Sequence, residues 1–362
     1  MDKKLLYAVI ILLAIGIAVL ASVSAVFSQE NVGSPTYYLF HQLRSIGLGL
    51  VLGFIAFKMK IKTLKKQALK IVLLAFGLMI IVFIPFVGVQ SGGASRWINI
   101  FGQATFQPSE FLKLAFIIYL SAWLVSASKK TKIFKFFGKV SEIIPFLLVL
   151  IAITVLLILQ SDLSTLILII AVAILLYFAA GTPLWHTATM FIIFASLIFV
   201  AIKWAPYRMK RVLVYLDPDM DPMGIGYQIK QILIAIGSGG IFGLGAGMSS
   251  QKFGFIPQTM ADSIFAIFAE EFGFIGSFIL VLLFLYITWR GFRIAKHTND
   301  KFSQLLALGV SSWICIQAFI NIAAMLRIIP LTGIPLPFIS YGGSHIIMEL
   351  IGVGFLLNIS KK

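Results

Sequence analysis

Asp262 is an acid placed where an apolar run of helix length begins, which makes it a candidate catalytic residue. It lies in QKFGFIPQTMADSIFAIFAEEFG, residues 251–273. A carboxylate at a membrane boundary is costly unless it is used, and such a group can act as a general base. Thr259 and Asp262 also fit the Ser/Thr-x-x-Asp/Glu pattern that caps a helix, so the residues alone leave catalysis and capping open. Glu270 and Glu271 follow roughly 12 to 14 Å further along a helix, too far to share a proton with Asp262.

Basic residues and glycines precede Asp262 and form a candidate anion site. Arg208, Lys210 and Arg211 make a cluster that can hold a phosphate group. Six glycines between residues 237 and 247, followed by Lys252, are typical either of backbone N–H groups turned toward an anion or of a flexible surface turn. Neither Lys-Ser nor Lys-Thr follows the glycines, which argues against a nucleotide-binding P-loop.

Three more polar motifs adjoin apolar runs. Arg96 and Trp97, in GGASRWINI, combine a cation with a flat apolar surface, which suits a sugar phosphate but is also common in interfacial loops. Glu110 and Lys113 stand three residues apart, which predicts an ion pair on one helical face and favours an architectural role. Asp162, in LQSDLST, is interpreted either as a helix cap at a tight turn or as a cavity residue.

The composition indicates which elements must position these residues. Of the 362 residues, 60% are hydrophobic and 12% are charged, and the mean hydropathy is +1.03. These values exclude a soluble domain and indicate an all-α integral membrane protein. Runs of about 20 apolar residues predict a polytopic bundle of about ten transmembrane helices, starting near Leu5, Ile46, Ile71, Phe111, Ile144, Leu163, Thr187, Ser263, Phe302 and Tyr341.

The formal net charge of +16 indicates topology rather than nucleic-acid binding. Most of the Lys and Arg residues fall near the two termini and in residues 58–70, 129–139 and 290–301. The positive-inside rule predicts that these segments and both termini are cytoplasmic. A soluble basic and aromatic module is missing, so nucleic acid is not an expected partner. The only cysteine, Cys315, excludes an intrachain disulfide, and no histidine has a partner at metal-ligand spacing, so no metal ligands are predicted.

Residues 203–262 are predicted to form a long extracytoplasmic loop between the seventh and eighth transmembrane helices. The segment is too apolar and too regular for a disordered linker. Ile229, Ile232, Leu233 and Ile236 follow helical spacing, which predicts an amphipathic helix in the membrane interface. No domain boundary is visible, so residues 1–362 are predicted to form a single transmembrane domain with part of the active site in this loop.

An ordered set of motifs resembles the SEDS (shape, elongation, division and sporulation) family, most clearly from Arg96 to the carboxyl end. The motifs are GGASRWI with FQPSEFLK, LQSDLST, the loop from YRMKR through DPMGIGYQ to AIGSGG, QKFGFIPQTMADSIFAIFAEEFG, and LTGIPLPFISYGGS. DPMGIGYQ and GLGAGMSSQKFGFIP are more similar to the FtsW-type division members than to RodA-type members. The chain departs from the family where QSDLST (160–165) replaces QPDLGT, Met260–Ala261 replaces histidine-threonine, Arg327 replaces glycine, and His345 replaces serine.

The resemblance implies a peptidoglycan glycosyltransferase of the bacterial cytoplasmic (inner) membrane, acting on its outer face. The implied substrates are lipid II and the nascent glycan strand, the implied leaving group of an inverting transfer is undecaprenyl pyrophosphate, and the implied partner is a class B penicillin-binding protein transpeptidase. Asp262 matches the family's essential aspartate. The expected substrate-binding residues are Arg96, Trp97, Arg208, Arg211, Gln231, Lys252 and Ser340, and the expected structural or cavity residues are Glu110, Lys113, Asp162 and Glu271. Mg²⁺ or Mn²⁺ is a candidate cofactor, and no organic cofactor is expected.

A single carboxylate suffices for this chemistry. Pyrophosphate leaves as a stable anion and needs no protonating acid, whereas glycoside hydrolysis normally requires a second carboxyl group for the leaving alcohol. Two alternatives stay open. The chain can be a lipid II flippase or other transporter of lipid-linked saccharides, with Glu110, Lys113, Glu271 and Glu349 lining a polar path. It can also be a scaffold for the transpeptidase without activity of its own.

Overall fold

The computed structural model describes residues 1–91, 94–100, 104–130, 143–182, 184–256 and 259–361. Within these residues the chain forms twelve α-helices and one three-stranded sheet. The helices are α1 (Lys3–Val32), α2 (Tyr37–Lys58), α3 (Ile61–Ile81), α4 (Pro108–Lys130), α5 (Ile143–Leu159), α6 (Leu163–Ala179), α7 (Leu184–Trp204), α8 (Pro206–Leu216), α9 (Ile225–Ser238), α10 (Ile264–Lys296), α11 (Lys301–Met325) and α12 (Gly343–Ile359). The strands are β1 (Gly88–Ser91), β2 (Ala94–Ile100) and β3 (Ala104–Phe106).

The predicted spans appear as α1 to α7 and α10 to α12, which confirms the all-α membrane bundle. Among the described residues, six of these helices are long and apolar enough to cross a membrane, and α5, α6 and α12 supply shorter apolar helices. Helix α3 is less apolar because lysines occupy its first half. Helices α2 and α3 begin roughly 2.5 turns before the predicted starts, since polar turns that continue the helix precede each apolar run.

Glycines permit close packing of α12, one of the helices that support the site. A Cβ atom at Gly53 of α2 would lie 2.7 Å from the backbone oxygen of Leu350, and one at Gly354 would lie 2.2 Å from the oxygen of Gly53. Such contacts between backbones are typical of small residues at membrane helix interfaces. Helices α4 and α11 lie deep in the bundle, where Phe116 and Trp313 are each only 1% exposed.

A small antiparallel sheet precedes α4, and the sequence did not predict it. Strand β2 pairs with both neighbours, with Gly88 opposite Ile98 and Ile98 opposite Phe106. The three strands have only four, seven and three residues, too few for a clear alternating pattern to stand out from an outer loop. The all-α bundle is confirmed, and the described residues of the predicted outer segment before α4 add these three short strands.

The first part of residues 203–262 forms short helical elements, and the described residues after Ser238 form turns. Helix α8, a 3₁₀ turn at Pro218–Met220 and α9 follow one another. The predicted helix is confirmed as α9, with Ile229 and Ile232 buried. Leu233, predicted on the same apolar face, is instead 37% exposed, and the placement of α9 in the membrane interface stays a prediction. Four parts of the sequence predictions lie outside the described residues: positions 92–93 of the GGASRWI motif, the cytoplasmic lysines within 131–142, positions 257–258 of the aspartate motif, and Lys362.

Candidate active site

Asp262 lies at the junction between the 203–262 segment and α10, outside the membrane-spanning helix. The residue is 9% exposed, and its Oδ1 atom is buried without a hydrogen-bond partner among the described residues. Burial raises the pKa of Asp262 from 3.8 to about 6, against the opposing effects of the backbone N–H groups at positions 262 and 263 and of the Arg211 guanidinium. At neutral pH the carboxylate is therefore mainly ionised and more basic than an ordinary aspartate, as a general base should be.

The start of α10 decides between the two interpretations of the Thr259–Asp262 pattern. The helix begins at Ile264, and its N-cap residue is Ser263. A capping box ending at Asp262 would require Thr259 to be the N-cap. The capping-box interpretation is therefore wrong, and catalysis by Asp262 stays a prediction.

The backbone of Asp262 is fixed by a side-chain amide from α11. Asn321 Nδ2 donates to the Asp262 carbonyl oxygen at 2.8 Å and to the Ile334 carbonyl oxygen at 2.7 Å. Asn321 is 1% exposed; its Nδ2 group makes both of these bonds, while its Oδ1 atom is buried without a hydrogen-bond partner among the described residues. Asn321 joins the aspartate to residues 334–341, which connect α11 to α12 and are called the 334–341 loop below.

The same loop holds the two residues before the aspartate. Ser340 Oγ donates to the Ala261 carbonyl at 2.5 Å, and the Tyr341 N–H donates to the Met260 carbonyl at 2.8 Å. Ser340 is fully buried, and its hydroxyl also accepts a bond from a backbone N–H of its own loop. Its predicted contact with substrate thus has no support from this geometry, which instead gives Ser340 a role in holding the Asp262 segment.

The three basic residues of α8 have different surroundings. Arg208 is 7% exposed and donates to the Ala201 carbonyl at 3.0 Å and to the Tyr207 hydroxyl at 2.8 Å. Lys210 forms an ion pair with Asp221 at 3.1 Å. Arg211 is exposed, and its charge is the one that lowers the pKa of Asp262. Of this predicted cluster, Arg211 is therefore placed to meet an anion near Asp262, whereas Arg208 supports the backbone.

Helix α9 reaches the same region through its glutamines. Gln228 Nε2 donates to the Ser263 hydroxyl at 3.3 Å, directly beside Asp262 in sequence. Gln231 follows one helical turn later and is half-buried. Its substrate contact stays a prediction, while Gln228 links α9 to the start of α10.

Arg96 and Asp162 shape the turn between α5 and α6. Arg96 Nε donates to the Gln160 carbonyl at 3.1 Å, and its Nη2 donates to the Ser161 carbonyl. Asp162 accepts a bond from the Thr165 N–H at 3.2 Å as the N-cap of α6, so the cap interpretation is confirmed. Trp97 is half-buried in β2. Arg96 is thus used to hold backbone, and the substrate contacts of Arg96 and Trp97 stay predictions.

The glycine run is packed into a break in α10, an arrangement that the sequence did not predict. The helix is interrupted at Gly273, whose φ is 66°. The N–H groups of Leu244 and Gly245 each donate, at 3.0 Å, to carbonyls of α10 just before the break. A Cβ atom at Gly243 would lie 2.2 Å from the Glu271 carbonyl oxygen. These N–H groups are therefore occupied rather than turned toward an anion, and glycine is needed because two backbones touch.

Lys252 lies beneath this run and is paired with an acid. Its Nζ lies 2.9 Å from Ser22 Oγ and 3.6 Å from Glu271 Oε1, and it also donates to the Gly247 carbonyl. The side chains of Lys252 and Glu271 are 7% and 2% exposed. The geometry confirms the structural placement of Glu271, but it gives Lys252 the same structural role and does not support its predicted contact with substrate.

A second buried ion pair lies in the centre of the bundle. Lys113 Nζ is 2.8 Å from Glu110 Oε2, which confirms the predicted pair on one face of α4. Lys113 also donates to Gln317 Oε1 at 2.9 Å, and Gln317 Nε2 donates to Glu349 Oε1 at 3.3 Å. The sequence predicted this pair but did not single out the amides Gln317 and Asn321. A polar residue inside an apolar run is a usable signal of such a role, because burying a polar group without partners is costly.

Arg327 explains one departure from the family pattern. Its φ is 53°, the left-handed region that favours glycine, which is the residue that the resemblance leads us to expect at this position. Arg327 Nη2 donates to the Tyr215 carbonyl at 3.0 Å and to the Leu216 carbonyl at 3.3 Å. The arginine therefore offsets an unfavourable backbone conformation by capping the end of α8, the helix that carries Arg211.

Residues 3–362 match a family model described as "Cell cycle protein", which covers FtsW, RodA and SpoVE. The chain belongs to this family. Stage V sporulation protein E of Bacillus subtilis (strain 168) is 37% identical over 360 residues, which cover 99% of this chain and 97% of that protein. A protein of Coxiella burnetii (strain RSA 493 / Nine Mile phase I) named "Probable peptidoglycan glycosyltransferase FtsW" is 37% identical over 366 residues, which cover 100% and 96%.

Solved structures of the FtsW/RodA/SpoVE family share the fold. One described as "Structural coordination of polymerization and crosslinking by a peptidoglycan synthase complex" has a TM-score of 0.80 and 26% identity, covering 99% of this chain and 97% of that one. The rod shape determining protein RodA of Thermus thermophilus has a TM-score of 0.71 and 24% identity, covering 99% and 96%, and shows the fold alone. With the membrane-length helices, these relatives indicate a protein of the bacterial inner membrane.

Proposed function

We propose that this chain is a peptidoglycan glycosyltransferase that polymerises lipid II into glycan strands with Asp262 as the general base. The observation that carries the proposal is the Asp262 carboxylate, which is buried, has an oxygen without a partner among the described residues, and has a pKa raised to about 6. Family members named peptidoglycan glycosyltransferase FtsW support the reaction class.

The proposed reaction is a direct displacement. The acceptor sugar hydroxyl gives its proton to Oδ1 of Asp262 while its oxygen forms a bond to the anomeric carbon of the donor sugar. The bond between that carbon and the pyrophosphate oxygen breaks, and its electron pair leaves with undecaprenyl pyrophosphate. Attack on the face opposite the leaving group inverts the anomeric configuration. Since the leaving group is stable as an anion, one base is enough.

Arg211 is the proposed cation for the departing pyrophosphate. Arg211 is exposed, its charge acts on Asp262, and its Nη1 makes a long bond of 3.4 Å to the Leu331 carbonyl. Arg96 and Arg208 hold carbonyl oxygens at the shorter distances of 3.1 and 3.0 Å, and Lys252 faces Glu271. A positioned guanidinium stabilises negative charge as it develops on the leaving group.

A divalent cation also stays a proposal. Within the described residues, no group of three or more His, Cys, Asp or Glu side chains can hold a metal ion, so these residues offer no metal site made of protein ligands alone. Such an ion would be held mainly by the phosphate oxygens of the substrate, a common arrangement for Mg²⁺. None of the steps above passes through it.

The proposed setting is the outer face of the membrane, with both termini in the cytoplasm. The distribution of lysine and arginine along the sequence supports this orientation. A class B penicillin-binding protein transpeptidase is the proposed partner, supported by the likeness to a solved peptidoglycan synthase complex. The polymer would then form where the crosslinking enzyme can use it.

The test is polymerisation by the purified full-length chain reconstituted with lipid II, with and without a class B transpeptidase, and with Mg²⁺, Mn²⁺ or a chelator. Glycan strands resolved on a gel are the expected product. Translocation of lipid II in vesicles without polymer would favour the transporter alternative. Its four suggested residues already have partners: Glu110 and Lys113 pair together, Glu271 pairs with Lys252, and Glu349 contacts Gln317. Absence of polymer even with the transpeptidase would favour a scaffold.

A further inference from the structure

We propose that Glu349 is a positioning residue for Asp262: its carboxylate anchors the 334–341 loop, and that loop holds the segment that carries the base. The inference rests on the proposed function of Asp262. It assigns a task to an acid of α12 that makes no contact with the reacting atoms in the mechanism above.

The first link joins Glu349 to the loop at two points. Glu349 is fully buried, and its Oε2 accepts a hydrogen bond from the Phe338 N–H at 2.9 Å. Its Oε1 accepts from Gln317 Nε2 at 3.3 Å, and the same amide donates to the Pro335 carbonyl at 3.1 Å. One carboxylate and its amide partner therefore fix the loop at residues 335 and 338.

The loop needs an anchor because its backbone is unfavourable at Phe338. This residue has a φ of 63°, a conformation that a side chain with a Cβ atom adopts reluctantly. The loop also presses against α1, where a Cβ atom at Gly16 would lie 2.5 Å from the Phe338 carbonyl oxygen. Strained backbone of this kind persists only where its surroundings hold it, and the Glu349 bond to the Phe338 N–H does so directly.

The second link joins the loop to Asp262. Two and three residues after Phe338, Ser340 and Tyr341 bond to the carbonyls of Ala261 and Met260. At the other end of the loop, the Ile334 carbonyl shares the Asn321 amide with Asp262 itself. Movement of the loop would therefore displace the base, and a displacement near 1 Å is enough to slow catalysis roughly a hundredfold.

The positioning task requires a hydrogen-bond acceptor, not a negative charge. The nearby Lys113 already has Glu110 as its ion-pair partner at 2.8 Å, so it does not depend on Glu349 for charge balance. His345, another titratable neighbour, has its Nε2 atom 3.7 Å from Glu349 Oε2, beyond hydrogen-bond length. Glutamine at position 349 keeps an oxygen for the Phe338 N–H; it loses the second oxygen, which accepts from Gln317 Nε2, but Gln317 keeps its own bond to the Pro335 carbonyl. Leucine, of similar size, removes both acceptors.

The experiment compares Glu349→Leu, Glu349→Gln and a control in the full-length chain, using initial rates of lipid II polymerisation. The control is Asn358→Leu, which also removes a polar side chain of α12. Asn358 bonds to the Ala56 and Met59 carbonyls at 2.9 Å and 2.6 Å, and it lies at the other end of α12 from the 334–341 loop. Glu349→Leu is expected to lower kcat roughly ten- to a hundredfold with little change in KM, because the substrate still binds but the base is misplaced. Glu349→Gln and Asn358→Leu are expected to keep kcat within about threefold of the wild type.

Hydrogen exchange of peptides covering residues 334–341 and 259–262 is the second readout, and it does not depend on activity. Glu349→Leu is expected to speed exchange in both peptides, and Glu349→Gln to leave both protected. An unchanged kcat in a folded Glu349→Leu protein would overturn the inference, as would a loss in Glu349→Gln equal to that in Glu349→Leu. If Glu349→Leu does not fold, a loss of kcat or of loop protection in Glu349→Gln still refutes it. An inactive wild type would instead count against the proposed function, and the exchange data would still decide the positioning role.

Discussion

The protonation of Asp262 gives the most quantitative prediction. With a pKa of about 6, the carboxylate is about 90% ionised at pH 7, half ionised at pH 6 and about 10% ionised at pH 5. An aspartate at its usual pKa of 3.8 would still be about 94% ionised at pH 5. Because a general base must be deprotonated, kcat/KM is expected to be full well above pH 6 and to fall about tenfold on going down to pH 5.

Arg211→Gln tests the physical cause of this value. The guanidinium lowers the pKa of Asp262, so its removal is expected to move the acidic limb of the profile to higher pH. The plateau should fall as well, because Arg211 is also the proposed partner of the leaving pyrophosphate. Lys210→Gln is the matched control: Lys210 is the neighbouring cation of α8, but it pairs with Asp221 at 3.1 Å, so the limb should stay in place.

Initial rates of lipid II polymerisation between about pH 5 and pH 8 measure both effects, with thermal unfolding followed at each pH to show that the protein remains folded. A rate that stays flat down to pH 5 in the folded wild-type protein would refute the reasoning. So would an acidic limb that moves to lower pH in Arg211→Gln, since loss of a nearby cation can only disfavour the carboxylate.

Three further predictions concern stability and are measured by thermal unfolding in detergent. Gly243→Ala is expected to destabilise the protein by about 1 to 3 kcal/mol, because its Cβ atom would lie 2.2 Å from the Glu271 carbonyl oxygen. Gly237→Ala has open space around it and should be neutral or stabilising. Equal effects of the two changes would contradict the packing of the glycine run against α10. Lys252→Met leaves Glu271 buried without its cation and should cost about 3 to 5 kcal/mol, so a wild-type unfolding temperature would argue against the ion pair. Arg327→Gly should be less destabilising than Arg327→Ala by about 1 kcal/mol, because only glycine relieves the φ of 53°, and no difference would contradict the strain.

The helices were largely predictable because apolar length is a strong signal in a membrane protein. The amphipathic helix α9 followed from the spacing of Ile229 and Ile232, and the Glu110–Lys113 pair followed from the i, i+3 spacing of α4. The position of Asp262 at the start of α10 was also readable from the sequence. In each case the feature depends on residues that are close together in the sequence, so their spacing predicts it.

The rest of the site depends on contacts between distant segments. Lys252 pairs with Glu271 and Ser22, and Arg96 bonds to the turn before α6, contacts that no spacing along the chain specifies. A long basic side chain can bind a substrate phosphate or a buried carbonyl oxygen equally well. The sequence alone therefore does not indicate which of these two roles it has. Asn321 was missed because a single amide in an apolar helix does not indicate which backbone it will hold.

Replacement of Asp262 by asparagine tests the central claim most directly. Asparagine has nearly the same shape but cannot take the proton of the acceptor sugar hydroxyl. Polymerisation of lipid II by purified Asp262→Asn is therefore expected to fall by roughly a hundred- to ten-thousandfold. Its unfolding temperature and its binding of lipid II should remain close to those of the wild type. Polymerisation at the wild-type rate by the asparagine variant would contradict the assignment of Asp262 as the base.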